Sequence, residues 1–162
     1  MKYLSLSIMI VLFLSLTVVP DSIGKSQTDT DIELAENLIE AVQNIDYISI
    51  NVLLAEGATV DTVDAQGNTP LMIASKIGNP RLVNILLLQE PSINATNNRG
   101  ETALMIAARG GVMQVVDQLI ENGANSTLKN NDGLTSAQIA LRHGHAAIAS
   151  KLSEESILPF SR

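Results

Sequence analysis

Lys76, Arg109 and Arg142 recur at intervals of 33 residues. A row of cations at a fixed interval can receive the carboxylates of a partner segment. It can also be bland, because a cation in the last turn of a helix offsets the macrodipole by about 0.3–1 kcal/mol. The other chemistry-bearing residues are sparse. His143 and His145 are the only histidines. They lie two apart, not at the i, i+4 spacing of a helix-borne metal pair, and no cysteine or nearby carboxylate completes a ligand set. Their expected role is structural, and neither a metal nor a cofactor is expected. No serine or threonine sits in the context of a nucleophile elbow, and no glycine-rich phosphate loop is present. A carboxylate pair, with Glu101 and Asp132 as its candidates, would make a hydrolase. No spacing supports that alternative, and the chain reads as non-enzymatic.

The same interval runs through much of the chain. Gly67, Gly100 and Gly133 are 33 residues apart, and so are Thr69, Thr102, Thr135 and Leu86, Leu119, Leu152. A period of this length is too long for one helix and too short for a domain. It fits a supersecondary unit that buries its apolar face by stacking on copies of itself. Within a unit, Thr69 or Thr102 can cap a helix through its hydroxyl, and Pro70 tolerates the first helical position. Gly78, Gly111 and Gly144 stop that helix. Asn79-Pro80 starts a second helix, and Asn97-Asn98-Arg99-Gly100 and its counterparts read as turns. Met72 and Met105 at matched positions suggest packing between stacked helices.

Gly67-Asn68-Thr69-Pro70-Leu71-Met72-Ile73-Ala74 and Gly100-Glu101-Thr102-Ala103-Leu104-Met105-Ile106-Ala107 resemble the ankyrin repeat. Gly133-Leu134-Thr135-Ser136-Ala137-Gln138-Ile139-Ala140 is a weaker copy, and Gly144-His145 is similar to the Gly-His of that family's bend. The resemblance implies an all-α repeat solenoid of about four stacked helix-turn-helix units with β-turn fingers. The units fall at 31–63, a degenerate N-terminal cap without the turn glycine and threonine, then at 64–96, 97–129 and 130–155, a truncated C-terminal cap. Gly67, Gly100 and Gly133 take the structural turn positions. The resemblance also implies a rigid concave groove that binds a partner protein. Carried over from the family pattern, the groove and finger residues are Lys76, Ile77, Arg99, Glu101, Arg109, Asp132, Leu134, Arg142 and His143. The basic row would face that groove with rungs about 10 Å apart, so a partner with an acidic segment is expected, bound by a monomer.

The degenerate unit begins with a helix over Asp31 to Gln43, with Ile32, Ala35, Leu38, Ile39 and Val42 on one face. A second helix, Tyr47 to Glu56, carries Ile48, Ile50, Val52, Leu53 and Leu54. Ahead of it, Lys25 to Thr30 is a polar lead-in. Met1-Lys2-Tyr3 followed by an apolar run from Leu4 to Val19 has the form of a secretory signal, with cleavage before Lys25. The alternative is an uncleaved anchor that makes the chain a membrane-surface scaffold, although the run is short for a span of about 20 residues. A periplasmic or secreted protein is expected, similar to exported bacterial ankyrin-repeat proteins that support an enzyme or act as immunity proteins. The chain has no cysteine, so its fold rests on the core alone. A net charge of −7 without a basic cluster disfavours nucleic acid and anionic membranes. After residue 24 the aromatic residues are Tyr47 and Phe160, too few for base-stacking platforms. Residues 156–162 form a tail.

Overall fold

The computed structural model describes residues 27–155, and the expected signal, its cleavage point and the tail lie outside them. Contacts divide the chain after Asp31. Of the unit before that point, the described part is the first turn of a helix; the unit from Ile32 onward holds the rest. Among the described residues there are eight helices and no strand. They follow one another as four pairs in chain order: α1 (Gln27–Gln43) with α2 (Tyr47–Ala55), and α3 (Pro70–Ile77) with α4 (Pro80–Leu87). Then come α5 (Ala103–Gly110) with α6 (Met113–Glu121), and α7 (Ser136–Arg142) with α8 (Ala146–Glu155). Helices α3, α5 and α7 pack side by side as one layer, and α4 packs on α6 in a second. This is the all-α repeat architecture that the family resemblance implies. No helix among the described residues is long and apolar enough to cross a membrane.

The inner helices are short because their ends are specified at both sides. The hydroxyls of Thr69, Thr102 and Thr135 accept from the backbone N–H groups of Met72, Met105 and Gln138 at 3.3, 3.3 and 3.4 Å. Gln138 also returns its Oε1 to the Thr135 N–H at 3.0 Å, completing a capping box. Two turns later, Gly78 and Gly111 take left-handed φ values of 73° and 75° and close α3 and α5. Asn79 caps α4 through its side chain and Pro80 takes the first helical position, whereas Val112 makes no side-chain cap on α6.

One core runs through all four pairs. Leu71, Ala74, Val83 and Leu86 are buried, and so are their counterparts Leu104, Ala107, Val116 and Leu119. The degenerate first pair supplies Leu38, Val42, Ile50 and Leu53 to the same core. Met72 and Met105 lie fully inside it, as packing residues. Gln118 reaches the Pro80 carbonyl at 3.1 Å, Lys151 pairs with Asp117 at 2.7 Å, and Asn79 donates to the Tyr47 hydroxyl at 2.9 Å. Each of these ties one unit to the next.

The N-terminal pair departs from expectation in three ways. Helix α1 begins at Gln27, four residues before Asp31, within the polar lead-in. Ile32, at the start of the apolar face of α1, is 58 % exposed, because that stripe meets the core only from Leu34 onward. Ile45 stands 33 residues before Gly78 and adopts φ 57°, so a β-branched residue holds the left-handed position that glycine takes in the other units.

Candidate functional site

The turns between units are built on one plan, repeated three times. Asp64, Asn97 and Asn130 each open a turn, and the side-chain oxygen of each accepts two backbone N–H groups. For Asn97 these are Arg99 and Glu101 at 2.9 and 3.0 Å; for Asn130, Asp132 and Leu134 at 3.0 and 2.9 Å. For Asp64 they are Gln66 and Asn68 at 2.9 and 2.8 Å. Neighbouring turns are stitched by their backbones as well. Asn98 N–H donates to the Gln66 carbonyl and Asn131 N–H to the Arg99 carbonyl, each at 3.1 Å. The amides of Asn98 and Asn131 add bonds to the carbonyls of Ala65 and Asn98 at 3.3 and 3.1 Å. The result is an edge of three fingers locked in register.

Gly100 permits that approach. Its φ is 69°, and a Cβ there would stand 2.5 Å from Asn131 Oδ1. At Gly133, φ is 74° but the surrounding space is open.

The basic row is unequal. Arg109, in the last turn of α5, donates through Nη2 to Glu101 Oε1 in a close ion pair, and Arg99 takes the other oxygen of Glu101 at 2.7 Å. Glu101 is only 2 % exposed, although the family pattern places that position toward the groove and fingers. The desolvated carboxylate is compensated by two guanidinium groups, one from its own finger and one from the helix behind it. Burial, and then repulsion from Arg99, hold Arg109 below the ordinary arginine value, and the group remains charged at neutral pH. Lys76 and Arg142 occupy the matching positions of α3 and α7, are exposed, and have no ion-pair partner among the described residues.

The remaining candidates divide similarly. Asp132 and His143 are exposed, Ile77 lies at the surface, and Leu134 is half-buried. Asp132 sits on the finger after that of Glu101, whose oxygens are both occupied by arginines. The second histidine, His145, is a packing residue: its Nε2 lies 3.1 Å from the Arg109 carbonyl, and its ring fills the space over Gly111. No group of three or more metal-ligating side chains occurs among the described residues. Asn94, in one of the chain's two Asn-x-Thr triplets, accepts the Asn125 N–H at 2.8 Å, which links successive loops.

The burial of Glu101 escapes sequence reasoning. Its partners stand two residues away on its own finger and eight residues away on the helix behind it, a meeting set by how the finger folds back on that helix and not by a helical period. The signal lies in the register, where Asn68, Glu101 and Leu134 hold one position with three different side chains. A family model for ankyrin repeats, in three copies, matches residues 74–159, just over half of the chain. No match was found among curated proteins.

Proposed function

The chain belongs to the ankyrin-repeat family, whose members are typically non-enzymatic protein-binding modules, and from that premise we propose that it is an exported module that binds an acidic segment of a partner protein. The observation that carries this reading is the unequal basic row. Arg109 is compensated internally, while Lys76 and Arg142 on either side of it are exposed cations without partners among the described residues. Two exposed positive charges on a chain of net charge −7 stand out as a local target for carboxylates. The stitched fingers keep the intervening surface stiff, so docking loses little conformational entropy. The partner is an exported protein, for instance an enzyme that the module supports or a toxin that it blocks. The leader is removed before Lys25, which leaves a monomer with no membrane attachment.

The double substitution Lys76→Glu, Arg142→Glu tests the site. Affinity capture with the tagged chain should lose the partner while the thermal midpoint stays within about 2 °C, since exposed charges contribute little to stability. Capture that survives the double substitution would remove the row from the interface. Mass spectrometry of the exported protein tests the rest: a first residue near Lys25 supports cleavage, and an intact Met1 means an anchored chain.

A further inference from the structure

The outer side of the α1–α2 pair has an apolar strip where a terminal repeat ordinarily presents a polar face. Ile48 is 78 % exposed and Val52 is 49 % exposed, one turn apart on α2. Helix α2 carries apolar residues on its outward side as well as its inward one. Its inward residues, Ile50 and Leu53, are buried; its outward ones are not. Beside the strip lies a cavity of about 410 Å³ between the two helices, with Ala41 and Leu53 at its floor. That size is within the range of binding clefts.

Charge identifies what fits there. Glu40 lines the cavity from α1, and Asp46 lines it from the turn that caps α2. Both are exposed, and no cation of the chain pairs with either among the described residues. An occupant must therefore supply apolar side chains for Ile48 and Val52 and positive charge for the two carboxylates. A second copy of this chain would bring the same carboxylates to its own strip, so like charges oppose self-pairing.

We propose that the α1–α2 face is a second docking surface, for an amphipathic helix of another protein whose apolar stripe is flanked by lysine or arginine. The helix lies along α2 with its apolar residues on Ile48 and Val52 and its cations over Glu40 and Asp46, the helix-in-groove mode of recognition. This surface is separate from the Lys76 and Arg142 row and opposite to it in charge preference.

Fluorescence anisotropy of the full chain with a labelled amphipathic leucine–lysine peptide tests the assignment, alongside a twin peptide in which every lysine is glutamate. The lysine peptide should bind at least tenfold more tightly than its twin, and Ile48→Lys should weaken it by about tenfold or more. Glu40→Lys should weaken the lysine peptide and strengthen the glutamate one. Both positions are exposed, and an unchanged thermal midpoint verifies that each variant folds. Equal binding of the two peptides, or indifference to Glu40→Lys, would overturn the proposal. So would a dimer in sedimentation that Ile48→Lys dissolves, which would mean a second copy covers the face. A cross-link from Lys2 to Glu40 would overturn it as well, because the chain's own leader would then be the occupant.

Discussion

The finger edge and the N-terminal pair solve the same problem with different means. At the fingers, Gly100 lets the next turn approach, Asn131 fills the approach with hydrogen bonds, and two arginines compensate the carboxylate behind them. At the N-terminal pair, the position of the left-handed glycine is held by Ile45, and Ile48 and Val52 face outward with no covering unit among the described residues. Inner repeats are constrained from both sides, so each residue must suit two neighbours. A terminal repeat has one neighbour, and its outer residues are left to other demands. Compensated charge is concentrated in the first region and uncovered apolar surface in the second.

The largest expected contrast comes from removing charge in the two regions. Glu101→Gln leaves Arg109 without its compensating carboxylate in a partly buried site and should cost about 3 kcal/mol, read from the urea midpoint. Glu40→Gln on the exposed cap should change stability by less than about 0.5 kcal/mol. Similar losses from both would erase the contrast.

Two valine substitutions then separate backbone strain from collision. Gly100→Val should cost about 2–3 kcal/mol, since the left-handed φ and the blocked approach to Asn131 act together. Gly133→Val, with a similar φ and open space around it, should cost only about 1–2 kcal/mol. Thermal unfolding of the pair measures the difference.

At the cap, the sign should reverse. Ile45→Asn places a residue tolerant of the left-handed region where a β-branched one now stands, and should stabilise by about 0.5 kcal/mol. A drop in the midpoint would mean that the Ile45 side chain contributes more packing than its exposure suggests.

The smallest effect is a pH dependence at Asp46. Its hydrogen bonds from the Ser49 side chain, then from the Ser49 and Ile48 backbones, lower its pKa below the ordinary carboxylate value. A depressed folded-state pKa gives stability that is present above the unfolded value, about 3.9, and is lost as pH falls through the folded one. The advantage of the native chain over Asp46→Asn should therefore be full at pH 7 and shrink below about pH 4. A gap that stays constant with pH would mean that the carboxylate charge is not what caps α2.

Much of the fold is legible in the residues because its determinants are local and repeated. Thr69, Thr102 and Thr135 cap helices within three residues of themselves, and Gly78 and Gly111 end them where a left-handed residue is needed. Periodicity also identifies the basic row. It does not show that Arg109 differs from Lys76 and Arg142, since that depends on a carboxylate at one register position only. Nor does it show which apolar residues of the first pair are exposed. Ile32 and Ile48 look like core residues because helical spacing tells which residues share a face, not whether anything lies against it.

The bonds from Asn98 to Gln66 and from Asn131 to Arg99 repeat at the sequence period itself. This gives the chain quantised tolerance to changes in length. Excising one whole period of 33 residues would bring the Asn131 donor to the Gln66 acceptor and rejoin the edge in phase. Removing one residue fewer would leave that donor one position out of register at the junction. A gene encoding this edge can gain or lose repeats freely and single codons only in the loops between.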